Sequence, residues 1–403
     1  EHVYNLKSEN CDYCPSVTSS KDCYLATGWE NENCLYSNCY RCKHGVDSWF
    51  PSESQFVYGC INIDKCYRVS FCHYATKCME SAFLYDCINC ENCLGCVNLK
   101  NASYHIFNKP YSKEEYFAEL KKYDLGSYKN LQAFAAKFRE FKLSQPHRWA
   151  YVLNSTDSTG ENIRYGNNCT YSFDLYQADN CKYADVGGGV LKDVYDVYDA
   201  GGNAAWLYES VATGEKVSGV RFSYYIAGGY DITYSDRCSN CHDIFGCSGL
   251  RKKSYCILNK QYTKEEYFAL LPKIVEHMNA MPYTDSRGVE YRYGEYVPPE
   301  LALVGYNDTV AQAYFPLTRE QALAKGFRWM EYEHHKPRPT ISSGDLPDHI
   351  KDVKDSIIKE IISCPAGHVY KIIEPELKFY RDLALPLPRL CPVCRYNKRV
   401  SDR

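Results

Sequence analysis

Twelve cysteine and histidine side chains in this sequence have the type and spacing to hold metal ions. The strongest signal is a duplication. Asp86 to Leu120 reads DCINCENCLGCVNLKNASYHIFNKPYSKEEYFAEL, and Arg237 to Leu271 reads RCSNCHDIFGCSGLRKKSYCILNKQYTKEEYFALL. They align without a gap at an offset of 241 − 90 = 151. Cys87, Cys90 and Cys96 fall on Cys238, Cys241 and Cys247, and His105 falls on Cys256. His and Cys differ in size, charge and packing, but both ligate zinc. A disulfide cannot accommodate that exchange, whereas a metal site can. The pattern predicts one zinc on Cys87, Cys90, Cys96 and His105 and another on Cys238, Cys241, Cys247 and Cys256. The competing reading is that these cysteines pack as small apolar groups.

A further set lies near the end. Cys364-Pro-Ala-Gly-His368 is followed, after 391 − 368 − 1 = 22 residues, by Cys391-Pro-Val-Cys394. Two such halves supply the four ligands of a zinc ribbon. The expectation is three or more zinc ions. The pairs Cys11/Cys14 and Cys39/Cys42 are half-sites with no fixed second half, and stay ambiguous. Cys87, Cys90, Cys93 and Cys96 also approach an iron–sulfur run. However, Cys93 becomes Ile244 in the second copy, which keeps four ligands only if Cys93 is not one of them.

Short strands and capped helices must carry these residues. In each copy Ser112 or Thr263, with Glu115 or Glu266 three residues on, opens a helix as a capping box. Leu131, Phe134, Ala135, Phe138 and Phe141 form one face of a second helix after the first copy. The tetrads at Asn10, Asn33, Asn168 and Asn180 share the form Asn-Cys-x-Tyr, and Cys60, Cys66, Cys72 and Cys78 are six apart. A period near six, multiplied up, predicts stacked parallel β-coils with inward Cys, Val and Tyr over 10–100 and 160–258. Asp185-Val-Gly-Gly-Gly189 and Ala227-Gly-Gly229 lack the context of a phosphate loop and read as tight turns. Ile350, Val353, Ile357 and Ile361 predict a helix face, Arg328 to Tyr332 a strand, and His334-His335 a solvated loop.

The fold class expected is mainly β with added helices: duplicated parallel β-solenoid modules with zinc knuckles, plus a small C-terminal zinc ribbon. The domains are 1–145, a cysteine-rich module with its knuckle and helix pair; 146–282, the second module; 283–362, a linking α+β segment; and 363–403, the ribbon.

Composition narrows the class. The net charge of −3 gives no global basic footprint for nucleic acid. The 23 cysteines are odd in number and the chain is long for a disulfide-stapled module, which favours thiolates in a reducing compartment, hence cytoplasm. No apolar run is long enough for a membrane span. The chain opens on Glu1, which leaves room for a removed leader.

Tyr370-Lys-Ile-Ile, Glu376-Leu-Lys-Phe-Tyr380 and Pro388-Arg-Leu-Cys391-Pro-Val-Cys-Arg395 resemble the small bacterial "probable zinc-binding domain". That motif is an apolar strand, a Glu-x-x-Phe-Tyr helix and Pro-x-Arg-Cys-x-x-Cys-Arg. Two departures stand out: Leu390 replaces an Arg, and His368 replaces the second Cys of the first half one residue late. More broadly the chain is similar to an uncharacterised cysteine-rich family of candidate-phylum bacteria. That resemblance implies no activity, and implies further cysteine pairs beyond Arg403.

No nucleophile elbow, HExxH or dinucleotide fingerprint is present. The leading expectation is a non-catalytic zinc-stabilised scaffold or binding protein with an unknown macromolecular partner, protein ahead of nucleic acid. Three alternatives compete. A nucleic-acid binder would use Arg389, Arg395, Lys398, Arg399 and Arg403. A polysaccharide-active enzyme would use Asp193, Asp196, Asp199 and Asp231. An iron–sulfur redox protein would use the Cys87–Cys96 run.

Overall fold

The computed structural model describes residues 4–331 and 337–401. His334-His335 and Arg403 lie outside them, as does the end of the strand expected at 328–332; residues 328–331 are irregular. The protein is mainly β, with many parallel strands and, among the described residues, seven α-helices. One compact unit takes in the chain up to Pro146 and the C-terminal segment from 337 on; the other runs from His147 to Glu331.

In the first unit, five strands from Tyr4–Leu6 to Trp49–Ser52 form one sheet, and seven from Lys43–Val46 to Lys109–Pro110 form another. Each strand pairs in parallel with one a single pass later. Tyr67 lies beside Met79 and Met79 beside Glu91, so a pass is 79 − 67 = 12 residues. Between Ser16 and Asn38 it is 27 − 16 = 11. Among the described residues of these two sheets, only the last pairing, onto Lys109–Pro110, is antiparallel. The second unit repeats this arrangement in an eleven-stranded sheet from Val152–Leu153 to Lys260–Gln261. There the pass widens to 204 − 191 = 13 in the middle and returns to 239 − 227 = 12.

An ordinary strand buries every second residue. Here burial recurs every third: Leu191, Val194, Val197 and Ala200 are buried along Leu191–Ala200. The cause is a left-handed residue in each triplet, such as Asp193, Asp196 and Asp199, which turns the chain before the next inward side chain. Asn and Asp tolerate that conformation best. Four inward triplets make a 12-residue pass. The inward set is Cys, Val, Leu, Ile, Ala and Ser; the tyrosines expected inside instead stand outside, Tyr171, Tyr183 and Tyr195 among them. They stack edge to face or flat from pass to pass.

Asp185–Gly187 and Ala227–Thr233 belong to the sheet rather than to tight turns, whereas Gly188 and Gly189 lie at a bend between two strands. Gly229 sits at φ +119, and a Cβ there would lie 1.9 Å from the Cys241 carbonyl oxygen of the next pass. Gly229→Ala is expected to cost roughly 2–4 kcal/mol, read as a lowered urea midpoint of the second unit.

The helices start where their caps place them. α1 (Lys113–Tyr123) and α3 (Lys264–Ala280) both have the reciprocal capping box, on Ser112/Glu115 and Thr263/Glu266. α2 (Tyr128–Ser144) buries Leu131, Phe134 and Phe138 against Phe83, Leu94 and Ile106 at the end of the seven-stranded sheet. α4 (Ala311–Tyr314) and α5 (Arg319–Ala324) are short, the latter capped by Thr318. The helix expected from Ile350 to Ile361 is two 3-10 turns, Ile350–Asp352 and Asp355–Lys359. Val353 and Glu360 are extended there, yet Ile350, Val353 and Ile357 still reach the core. α6 (Glu374–Asp382) and α7 (Pro392–Ser401) follow, with Pro in the first turn of each, where no backbone hydrogen bond is lost. This segment shares one core with the first sheets: Leu35, Val46 and Tyr58 pack with Ile350, Leu377, Tyr380 and Leu387.

Candidate metal centre

Cys364, His368, Cys391 and Cys394 come together, with one ligand atom from each all within 4.8 Å of one another. Strands Ile362–Ser363 and Val369–Tyr370 pair antiparallel, and the turn between them carries the first two residues. The Cys364 N–H donates to the His368 carbonyl at 2.7 Å and the Gly367 N–H to the Cys364 carbonyl at 2.9 Å. Gly367, at φ +78, supplies the left-handed step. Cys391 precedes α7 and Cys394 lies in its first turn. The Cys394 N–H donates to Cys391 Sγ at 3.4 Å, and the Cys391 N–H to Cys364 Sγ at 3.5 Å.

The four ligand atoms sit edge to edge. Cys364 Sγ is 3.8 Å from Cys394 Sγ; His368 Nδ1 is 3.5 Å from Cys391 Sγ and 3.3 Å from Cys394 Sγ. Burial opposes ionisation of Cys364, but the N–H groups of Cys391 and Ala366 and the neighbouring thiols outweigh it, so its thiol is held below the ordinary range. Burial and the Cys391 sulfur push Cys394 up to about 12.

Behind this cluster is a buried ionic network that the sequence did not announce. Arg395, next to Cys394, places Nε 2.7 Å from Asp47 Oδ2 and Nη2 3.1 Å from Glu376 Oε1. Arg399 reaches Asp47 at 3.1 Å. Tyr380 and Tyr36 donate to Glu376 at 2.8 and 3.2 Å. Burial pushes the Glu376 carboxyl up against the pull of Arg395. Asp47, Glu376, Arg395 and Arg399 are all buried. A signal did exist for part of it: Glu376, Tyr380 and Arg395 belong to the C-terminal motif, whereas Tyr36, Arg399 and Asp47, the last 395 − 47 = 348 residues away from Arg395, lie outside it.

The duplicated quartets are placed differently. Among the described residues no other group of three or more Cys, His, Asp or Glu brings its ligand atoms together in this way. Cys87, Cys90, Cys93 and Cys96 are buried at successive inward positions of one pass. His105 lies one pass on, beside Cys93 rather than Cys96, and its Nδ1 is 2.8 Å from the Ser103 carbonyl. Cys256 likewise lies beside Ile244. The exchange of His105 for Cys256 thus falls on the final parallel strand of each sheet, where His105 is only half-buried. The thiols act as donors to carbonyls. Cys87 reaches Cys96 O and Cys96 reaches His105 O, both at 3.5 Å; Cys238 reaches Cys247 O at 3.7 Å and Cys247 reaches Cys256 O at 3.4 Å. Cys90 and Cys241 reach the carbonyls of Ile88 and Ser239. Burial pushes Cys238 up to about 11 and also raises Cys247 and Cys256. In the first copy neighbouring thiols divide the effect: Cys90 raises Cys87, and Cys93 lowers Cys96.

The ambiguous pairs belong to the same interior, with Cys14, Cys39 and Cys42 buried against Cys23 and Cys34. Of the carboxylates considered for glycan chemistry, Asp193 is engaged by neighbouring passes. Asp193 accepts from Asn180 at 2.9 Å and from Trp206 Nε1 at 3.1 Å. Burial alone pushes Asp199 up to about 6; Asp185 is also raised to about 6, by burial first and Asp199 second.

No family model matches this chain, and no curated protein matches it. Among solved structures, a protein of Desulfovibrio desulfuricans G20 labelled an acetyltransferase matches at TM-score 0.14 and 10% identity, covering 67% of this chain and 69% of that one. A likeness of that size carries no argument.

Proposed function

We propose that this protein is a non-catalytic, zinc-stabilised parallel β-solenoid that presents an extended surface to a macromolecular partner. The observation that carries the reading is the C-terminal quartet. Zinc bonds of about 2.3 Å to sulfur and about 2.0–2.1 Å to nitrogen, arranged tetrahedrally, require edges of about 3.8 Å between sulfurs and about 3.5 Å from sulfur to nitrogen. The separations of 3.8, 3.5 and 3.3 Å fit that figure. Cys364, His368, Cys391 and Cys394 would hold the ion. Four protein ligands leave no position for water or substrate, so its role would be structural.

The ion count proposed is one, because the duplicated quartets lie in the interior and spend their thiols on carbonyls. The successive parallel passes with a triplet period support the solenoid. Resemblance of the C-terminal segment to the "probable zinc-binding domain" gains support from the placement of its motif side chains Glu376, Tyr380 and Arg395 in one buried network. The wider kinship with cysteine-rich bacterial proteins stays a proposal on the sequence pattern, and the free buried thiols support a reducing compartment such as the cytoplasm. Among the described residues no helix is long and apolar enough to cross a membrane. A protein partner is favoured over nucleic acid, since Arg395 and Arg399 are committed to Asp47 and cannot also meet phosphates.

Metal analysis of variants tests this reading. Cys394→Ser is expected to lose the bound zinc, while the double variant Cys96→Ser with Cys247→Ser keeps the wild-type content. A fall in zinc in the double variant would return the metal to the duplicated quartets and overturn the single-site reading.

A further inference from the structure

The two copies of the duplicated segment end on the same apolar face, but only the first is covered by a helix. In the first copy Phe107 follows strand Ser103–Ile106 and is half-buried. Phe134 and Phe141 of α2 lie over it, with ring centres 5.2 and 5.3 Å away. Phe134 also meets Phe83 at 4.9 Å and Tyr123, the last residue of α1, at 5.1 Å. Gly95 makes room for that ring: a Cβ there would lie 3.0 Å from Phe134.

In the second copy the same offset carries Phe107 to Leu258 (258 − 107 = 151) and Gly95 to Gly246 (246 − 95 = 151). The backbone repeats, with Gly95 at φ +67 and Gly246 at φ +63. The base of the face repeats as well: Phe245, Ile257 and Tyr267 are buried as Leu94, Ile106 and Tyr116 are. The covering helix does not repeat. Among the described residues, a Cβ on Gly246 would meet only Leu258 within 4 Å. α4 and α5, which follow α3, are four and six residues long and contribute no side chain to this cluster. Tyr293 joins it beside Tyr234, at 6.1 Å. Leu258 is left 76% exposed.

Neither solvent nor backbone favours Leu at that position. Its φ is 49, a left-handed conformation that Asn and Asp adopt far more readily. In the first copy the cost of an apolar side chain there is offset by the aromatic rings of α2. That copy also shows what fits the face. α2 presents Leu131, Phe134, Phe138 and Phe141 at i, i+3, i+7 and i+10, one apolar stripe of a helix laid in a groove. Charge points the same way. Lys142 lies 5.0 Å from the centre of the Tyr85 ring, and the second copy has Asp236 in place of Tyr85 (236 − 85 = 151). Asp236 is paired with Arg237 and still partly exposed, so a lysine arriving there meets a carboxylate.

We propose that the face centred on Leu258 and Gly246 docks one amphipathic helix of a partner protein, with apolar anchors spaced as in α2 and a lysine near its C-terminal end. The proposal rests on the reading of this chain as a binding scaffold and gives its partner a chemistry.

A peptide of residues 127–146 of this chain is the probe, because it carries that stripe and that lysine. Isolated helices of this length are marginal in water, so the peptide is stapled through positions 132 and 136, both exposed on α2. Fluorescence anisotropy with the intact, metal-loaded chain should show saturable binding. Leu258→Asp in the protein should weaken it about tenfold, and so should Phe134→Asp in the peptide. Asp suits the left-handed backbone better than Leu, so the protein variant keeps its fold. Zinc content of the same samples reports on the scaffold reading separately: a chain that holds its zinc but does not bind the peptide would sink the docking face alone. No saturable binding, or unchanged affinity in either variant, would overturn the proposal. So would a dimer of the chain, seen by sedimentation, that Leu258→Asp dissociates, because the face would then belong to a second copy.

Discussion

Cys391→Ser is expected to release the C-terminal segment from the first sheets, not merely to lower metal content. Cys391 supplies one sulfur of the quartet, and its N–H also donates to Cys364 Sγ. It stands at the start of α7, whose Arg395 and Arg399 reach Asp47. Metal binding at such sites is coupled to folding, with apparent values of about 10–16 kcal/mol for structural zinc in small peptides. Loss of one ligand should therefore cost several kcal/mol here. Hydrogen exchange should show lost protection over 362–395, with 191–245 in the other unit unchanged. If protection over 362–395 stayed at wild-type levels after the metal had gone, the metal would not be what orders this segment.

The second large effect concerns Asp47. Asp47→Ala leaves Arg395 buried with only Glu376 and leaves Arg399 without its carboxylate. Removing one partner from a buried ion pair costs about 3–5 kcal/mol, because the remaining charge is stranded away from water. The urea midpoint of the first unit should fall accordingly. Adding Arg395→Met and Arg399→Met to Asp47→Ala should recover part of the loss, because both stranded guanidiniums are then removed while Glu376 keeps the hydrogen bonds from Tyr36 and Tyr380. A loss below about 1 kcal/mol in Asp47→Ala would mean that water reaches these groups and that the network is not closed.

Much of this arrangement was legible because local chemistry dictates it. The capping boxes at Ser112 and Thr263 fix the starts of α1 and α3 within a few residues of chain. The C-terminal quartet was legible because its two halves are short motifs with ligands at fixed offsets. Stacking of passes was legible from repeated Asn-Cys-x-Tyr, but the three-residue inward step was not. Cysteines six apart are every second member of a series that points inward every third residue. The intervening members are Ile63, Val69 and Ala75, which carry no distinctive letter. That same series gives the duplicated quartets a second reading. A gap of three between Cys87 and Cys90 matches both a metal half-site and one inward step of the chain, and sequence spacing cannot separate the two. The distinction lies in His105, whose register partner is Cys93 and not Cys96. The stretch from Ile350 to Ile357 failed for a related reason. Apolar residues three and four apart fit a helix, but successive 3-10 turns place them on the same core. Asp47 had no local signature at all, since its partners are brought to it only by the fold.

The central claim is one zinc on three sulfurs and one nitrogen. X-ray absorption at the zinc edge, combined with metal stoichiometry on the isolated chain, tests it most directly. The account predicts one zinc per chain, with three sulfurs at about 2.3 Å and one nitrogen at about 2.0–2.1 Å. A chain with no zinc at full occupancy of folded protein, or with two or three zinc ions whose average shell is richer in sulfur, would contradict it.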